Sequence, residues 1–116
     1  MSDAVISLKI RLQLGDDIAI GPGKADLLEG IQRSGSISGA ARELGMSYRR
    51  AWLLVETMNR CFREPLVISL VGGRHGGGAR LSDTGEQVLR HFRHIETRAL
   101  AEISVDMAAI QALLHT

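Results

Sequence analysis

The chain has 116 residues, of which 45% are hydrophobic but only 3% aromatic, and its formal net charge is +1. This length predicts one domain, with at most a helical extension, around an aliphatic core. Cys61 is the only cysteine, which excludes an internal disulfide and fits a reducing compartment. The first residues do not resemble a signal peptide, and no apolar stretch approaches the roughly 18 residues of a membrane helix. We therefore expect a cytoplasmic protein.

The first predicted element is a β-strand over residues 5–14, where polar and apolar side chains alternate. The apolar face of this strand consists of Ile6, Leu8, Ile10, Leu12 and Leu14. Residues 15–17 predict a turn, and residues 18–20 a short returning strand. A helix should follow, with Pro22 in its first turn and Gly35 after its end.

Residues 36–52 predict two short helices joined by a tight turn, over about 37–44 and 48–62. Ser36 and Ser47 can cap these helices, and Gly45 can adopt the left-handed conformation between them. This spacing is typical of a helix-turn-helix, which places the first turn of its second helix in the DNA major groove. An ordinary helical hairpin is the alternative. The second helix should bury an apolar face made of Ala51, Leu54, Val55, Met58 and Phe62.

The positive charge of the chain is concentrated in its middle third. Residues 47–80 contain six arginines against Glu56 and Glu64, whereas residues 1–46 and 81–116 each contain more acidic than basic side chains. Arginine binds phosphate and guanine in a bidentate manner more readily than lysine does. A local basic stripe on a nearly neutral protein favours binding to DNA at a limited site.

A β-hairpin is predicted after the second helix, with strands over 66–71 and 79–81 and a flexible glycine-rich loop over 72–78. A hairpin with a basic tip at this place is typical of a winged helix, whose Arg74 and His75 would contact the DNA backbone or minor groove. The rival interpretation is a phosphate cradle, which requires the loop to lead into a helix. We favour the wing and keep an oxyanion site in this loop as an alternative.

One long helix is predicted from Ser82 or Asp83 to about Leu114. About 30 helical residues span roughly 45 Å, which is more than a small winged-helix core can cover. We therefore expect its apolar stripe to bind a second subunit. The alternative is a helix that folds back on its own core, with a break near Ser104. The predicted dimerisation residues are Val88, Phe92, Ile95, Ala99, Ile103, Met107, Ile110 and Leu114.

The residues that could carry other chemistry do not combine into a site. His91 and His94 lie three apart, but no nearby Cys, Asp or Glu completes a metal site with them. Cys61 is expected to be a small, partly buried residue, although its basic neighbour Arg60 leaves a redox role open. We expect no bound metal and no enzymatic activity.

Taken together, several segments resemble the N-terminal winged-helix domain of the molybdate-dependent transcriptional regulators, the ModE family, over residues 8–89. A weaker similarity to LysR-type regulators lies in the helix-turn-helix and in residues 81–85. The segments that carry the resemblance are Gly21-Pro22-Gly23, Ser34-Gly35-Ser36-Ile37-Ser38, Ala40-Ala41, Gly45-Met46-Ser47-Tyr48-Arg49-Arg50-Ala51-Trp52, Met58-Asn59, Gly72-Gly73, Gly76-Gly77-Gly78-Ala79 and Leu81-Ser82-Asp83-Thr84-Gly85.

The resemblance implies a homodimer that binds a palindromic operator at promoters for molybdate transport or molybdenum enzymes. Full-length members of the family carry C-terminal molybdate-binding domains of β-barrel type, whereas this chain ends at Thr116. We therefore expect either a short member with a separate sensor protein or a domain fragment. Molybdate would then act through a missing domain or a separate partner.

The sequence thus predicts a mainly helical α+β fold, with a winged helix-turn-helix over 1–81 and a dimerisation helix over 82–116. We expect a transcriptional regulator that binds double-stranded DNA. The alternatives are a winged-helix module that docks onto a protein and a stand-alone oxyanion sensor. Trp52 is expected either to contact DNA or to lie in the core. The residues expected at the DNA are Ser36, Ser38, Ser47, Tyr48, Arg49, Arg50, Trp52, Arg74 and His75.

Overall fold

The computed structural model of the chain describes residues 4–73 and 76–115, which form five helices and two antiparallel two-stranded sheets. This arrangement confirms the predicted mainly helical α+β fold. In chain order the elements are β1 (Leu12–Leu14), β2 (Asp17–Ile20), α1 (Pro22–Ser34), α2 (Ile37–Leu44), α3 (Tyr48–Cys61), β3 (Val67–Gly73), β4 (Gly76–Leu81), α4 (Asp83–Glu102) and α5 (Ser104–Gln111).

Helices α1, α2 and α3 surround an aliphatic core. The side chains of Leu27, Leu28 and Ile31 from α1 are almost fully buried, as is Met58 from α3. Helix α1 crosses α2 closely because only small residues meet there: a methyl group added to Gly30 would lie 2.9 Å from the β-carbon of Ala40. The side of α2 that carries Ala40 therefore packs against α1.

Each of the two helices of the helix-turn-helix has the predicted serine cap at its N-terminus. Ser36 Oγ accepts a hydrogen bond of 2.9 Å from the Gly39 N–H, and Ser47 Oγ accepts one of 3.1 Å from the Arg50 N–H. Between the helices Gly45 has φ +67°, a left-handed conformation that glycine adopts without a steric penalty. Helix α3 thus begins at Tyr48, as predicted.

The predicted N-terminal strand is much shorter in the structure. Only Leu12–Leu14 form β1, which pairs with β2 in an antiparallel manner. A strand can extend only as far as its partner, and β2 has four residues before Gly21 leads into α1. Residues 4–11 consequently have no regular secondary structure, and Leu12 and Leu14 are exposed rather than half-buried.

The wing is a real hairpin, but most of its predicted glycine-rich loop belongs to the strands. Gly72 and Gly73 lie in β3, Gly76, Gly77 and Gly78 lie in β4, and Gly73 pairs with Gly76. The tip residues Arg74 and His75 lie outside the described residues. Gly78 pairs in turn with Leu70, and this pairing across the hairpin explains why glycines form part of the strands. The loop leads into a strand, whereas a nucleotide phosphate cradle requires the N-terminus of a helix at this place.

Two polar side chains join the wing to the helices. Asn59 of α3 accepts hydrogen bonds from the N–H groups of Leu66 (2.8 Å) and Val67 (3.1 Å), and it donates one to the Val67 carbonyl (3.1 Å). Ser82 caps α4 by accepting from the Gly85 N–H, and its hydroxyl donates to the Pro65 carbonyl at 2.6 Å. The beginning of β3 is therefore fixed to both α3 and α4.

The predicted single C-terminal helix is divided at Ile103 into α4 and α5. Ile103 has ψ near 0°, and Ser104 Oγ donates a hydrogen bond of 2.9 Å to the Ala101 carbonyl. A serine side chain that donates a hydrogen bond to a carbonyl of the preceding turn competes with the main-chain hydrogen bonds of the helix and often bends it. Helix α5 buries none of its residues, so it does not fold back on the core.

The C-terminal helices give the molecule an elongated shape of 58 × 32 × 23 Å. The first half of α4 is attached to α1 through Arg93, which pairs with Asp26, Glu29 and Glu96. Burial lowers the pKa of Arg93, but these hydrogen bonds outweigh it and raise the pKa above its ordinary value. Over the described ranges, no helix combines the length and apolarity needed to cross a membrane.

Candidate nucleic-acid interface

The first turn of α3 projects its side chains into solvent. Tyr48 is 55% exposed, and Arg49 and Arg50 are also exposed. Trp52, for which core and surface positions were both open, is 45% exposed and belongs to the surface. The opposite side of the helix holds it on the core through buried Ala51, Val55 and Met58, while the predicted core residues Leu54 and Phe62 are partly buried. The aromatic and basic residues of α3 are therefore free to meet a ligand.

The start of α2 lies beside the start of α3 and the wing. A shallow hollow is lined by Ser36 and Ser38 from α2, Tyr48 from α3, and Ser69 and Gly78 from the wing. The hydroxyl oxygens of Ser36 and Ser38 are 3.4 Å apart, and Ser36 is occupied in capping α2. Three of the predicted residues are thus brought together at one surface.

A second hollow continues along α3 towards its end. It is lined by Trp52 and Glu56 on α3 and by Val67 and Ser69 on β3. Ser69 borders both hollows, although it is not among the residues predicted from the sequence to contact DNA. A single serine in an apolar strand gives no signal of its own, and only the pairing of the hairpin shows that it faces the helix-turn-helix.

The charges on α3 differ between its two ends. Arg60, in the last turn, pairs with Asp17 at 3.1 Å, and this hydrogen bond raises the pKa of Arg60. Arg49 and Arg50, in the first turn, form no ion pair with any described residue. The cations without a carboxylate partner therefore lie at the end that carries Tyr48. Arg74 and His75, predicted at the wing tip, fall in the gap between the two described ranges.

The predicted dimerisation stripe is only partly free. Phe92 is 4% exposed within the core of its own chain, so its predicted place in a dimer interface is corrected, whereas Val88 is only partly buried against that core and stays a prediction. The exposed part of the stripe begins at Ile95 (50% exposed) and continues to Ile110 and Leu114. Ala99, Ile103 and Met107 lie between them and are partly exposed. This surface is called the distal stripe below.

The histidines and the cysteine remain isolated. His91 and His94 are both exposed on α4, and Cys61 is a free, partly exposed thiol. Within residues 4–73 and 76–115, no three His, Cys, Asp or Glu side chains converge in a way that could hold a metal ion.

Comparison with known proteins identifies relatives that contain a matching segment. MopA of Rhodobacter capsulatus, a molybdenum-pterin-binding protein, is 37% identical over 119 aligned positions, which cover 100% of this chain and 45% of MopA. ModE of Azotobacter vinelandii, a molybdenum transport protein, is 37% identical over 91% of this chain and 44% of its own length. ModE of Escherichia coli K12, a DNA-binding transcriptional dual regulator, is 33% identical over 92% of this chain and 40% of its own length.

The fold has a counterpart among solved structures. Full-length LysG of Corynebacterium glutamicum, a LysR-type regulator, superposes with a TM-score of 0.55 and 22% identity over 78% of this chain and 30% of LysG. At this identity the likeness concerns the fold alone, and it agrees with the predicted winged helix-turn-helix. No protein-family model matches the chain.

The chain spans less than half the length of the curated relatives that it matches. Those named ModE are described as regulators or a transport protein rather than as enzymes, in agreement with the prediction of a non-enzymatic protein. The sequence similarity and the shared fold confirm the resemblance found in the motifs. The chain therefore belongs to the ModE family and corresponds to its N-terminal winged helix-turn-helix domain.

Proposed function

We propose that this protein is a transcriptional regulator that binds a palindromic DNA operator as a homodimer. The observation that carries the proposal is the first turn of α3, where Tyr48, Arg49 and Arg50 are exposed and the arginines have no carboxylate partner among the described residues. A recognition helix presents its N-terminal residues to base edges in this manner. Ser47 holds the first turn by its capping bond and could also reach a phosphate.

Residues on neighbouring elements would extend the contact. Ser36 and Ser38 lie at the start of α2, where hydroxyl and N–H groups can bind a backbone phosphate. Trp52 would contact a sugar or base beside the major groove. Arg74 and His75 would contact the backbone or minor groove from the wing tip, a role that rests on the sequence alone.

A second subunit would cover the distal stripe. The apolar residues of this stripe on α4 and α5 remain exposed over several helical turns, among them Ile95 (50% exposed) and Ile110 (56% exposed). A helical face of this length usually packs against another helix. Two copies related by a two-fold axis would then present two α3 helices to two inverted half-sites.

The names of the relatives indicate which genes would be regulated. MopA and ModE are both named for molybdenum, and one ModE is named for molybdenum transport. We propose that the target promoters serve molybdate transport or molybdenum enzymes, and that the protein acts in the cytoplasm. Molybdate would act through a further domain or a partner protein.

Selection of bound duplexes from a random DNA pool tests the proposal. We expect an inverted repeat to be enriched, and Arg49→Ala or Arg50→Ala to weaken binding to it by about 1–3 kcal/mol if the side chain is bidentate to guanine. Arg60→Ala is the matched control, because Arg60 lies on the same helix but pairs with Asp17 at the far end.

A salt titration with random duplex DNA distinguishes the competing function. If the wild type shows no salt-dependent affinity even at low salt, DNA binding is rejected in favour of a winged helix that docks onto a protein. If Arg49→Ala and Arg50→Ala bind the selected repeat as well as wild type does, the assignment of α3 as the recognition helix fails.

A further inference from the structure

Four cationic side chains line one cavity of about 410 Å³ at the start of α1: Lys9, Arg11, Lys24 and Arg50. We call this the basic cavity. Its cations come from three separate parts of the chain, namely the N-terminal segment, the first turn of α1 and the first turn of α3. No acidic residue in the described parts of the chain lines it. The tertiary fold therefore brings together positive charges that are distant in sequence.

One side chain of the basic cavity lies close to the backbone at the start of α1. Arg11 lies over Gly21, since a methyl group on Gly21 would be only 3.1 Å from the γ-carbon of Arg11. Lys24 is half-buried, while Lys9, Arg11 and Arg50 remain exposed. None of the four forms an ion pair with a described residue. The cavity is consequently open to solvent and rich in hydrogen-bond donors.

The cations of the cavity repel one another. Burial lowers the pKa of Lys24, the nearby Cys61 and Asp17 oppose this shift, and Arg11 and Arg50 lower the pKa further. A bound anion would remove this repulsion and replace the water lost from Lys24. Clustered cations without internal partners are the usual sign of an anion site in a protein that binds nucleic acid.

We propose that the basic cavity binds a phosphate-type oxyanion, supplied by a DNA backbone phosphate beside the groove that α3 enters. The source of the phosphate rests on the proposed function, because it requires α3 to bind DNA. Arg50 links the two surfaces, since it lies in the first turn of α3 and also lines the cavity. Lys9, Arg11 and Lys24 then become phosphate-binding residues outside both the helix-turn-helix and the wing.

The double variant Arg11→Gln/Lys24→Gln tests the proposal, because it leaves α3 and the wing unchanged. Arg90→Gln is the matched control, since Arg90 is an exposed arginine on α4 outside the cavity. Affinity for duplex DNA is measured against salt for wild type and both variants, after thermal unfolding has shown that each is folded. In parallel, the amide resonances of Gly21 and Gly23 are followed by NMR as inorganic phosphate is added without DNA.

We expect the double variant to lower the slope of log affinity against log salt by about one, the loss of one phosphate contact, and the control to leave it unchanged. If the double variant leaves the salt slope unchanged but abolishes phosphate-induced NMR shifts that the wild type and the control both show, the cavity binds a free anion and not a DNA phosphate. An unchanged slope and no shifts in the wild type would overturn the proposal. Absence of any DNA affinity in the wild type would reject the proposed function, while the phosphate titration would still decide whether the cavity binds anions.

Discussion

At the scale of single residues, short polar side chains and glycines determine where the elements meet. Asn59 satisfies three backbone groups at the start of the wing, and Ser82 both caps α4 and binds the Pro65 carbonyl. Gly85 follows one turn later, where α4 passes directly over the backbone of Leu66. These contacts join the wing to the helices, in addition to the packing of Leu66, Val67 and Leu81 in the core.

Gly85→Ala should destabilise the protein, because the added methyl group would lie 2.2 Å from the Leu66 carbonyl oxygen. Neither backbone can move without breaking the bonds of Ser82, so we expect a loss of at least about 2 kcal/mol in the free energy of unfolding. Urea unfolding measures it. The matched control is Gly23→Ala in the first turn of α1, where a methyl group would meet nothing within 4 Å and should be neutral or slightly stabilising. Equal stability of the two variants would contradict the close approach.

At the scale of elements, α4 is attached to α1 by one charged residue. The guanidinium of Arg93 binds carboxylates of Asp26 and Glu29 on α1 and of Glu96 on α4. The side chain of Arg93 is only 31% exposed, so solvent screens these pairs less than it screens ordinary surface pairs. Removing Arg93 would leave three carboxylates facing one another.

Arg93→Ala should therefore cost about 1–3 kcal/mol of stability, and the loss should shrink in high salt, which screens the repulsion among the remaining carboxylates. Thermal unfolding at low and high salt provides the measurement. Arg90→Ala, on the same helix but exposed and outside any ion pair of the described residues, should change stability by less than about 0.5 kcal/mol. A salt-independent loss would show that packing rather than charge is responsible.

The helix-turn-helix was predictable because its signals are local: Ser36, Gly45 and Ser47 act on backbone groups within a few residues of themselves. Features that depend on distant partners were not predictable. The length of β1 depends on β2, the glycines of the wing become strand only by pairing, and Phe92 is buried by its own chain. The basic cavity could not be predicted from the sequence either, because Arg11, Lys24 and Arg50 come together only in the folded chain.

At the scale of the whole molecule, the distal stripe leaves the elongated structure with apolar surface that its own core does not cover. Helix α5 buries no residue, although its side chains include Val105 and Ile110. In water such a surface favours association, and a second copy of the same chain is the simplest partner. The interruption at Ile103 lies in the middle of this stripe.

Ile103→Glu should convert the proposed homodimer to a monomer, because it would place a charge in the centre of an apolar interface. We expect the association constant to fall by roughly a hundredfold, the equivalent of about 3 kcal/mol. Sedimentation equilibrium measures it. Ala101→Glu, two residues away on the opposite, exposed side of α4, is the control and should leave association unchanged. If wild type is monomeric at the highest concentrations tested, the dimer proposal is wrong.

The hydrogen bonds of Asn59 have a consequence for the way in which DNA sequence would be distinguished. They fix β3 to α3, the helix that would enter the major groove. On β4, the other strand of the hairpin, the Ala79 N–H donates a hydrogen bond of 2.8 Å to the carbonyl of Gly35 at the end of α1. These bonds restrain the position of the hairpin relative to α3. Such a restrained pair would respond to the width and curvature of the double helix between its two contacts, and so would select among operators by DNA shape at base pairs that no side chain touches.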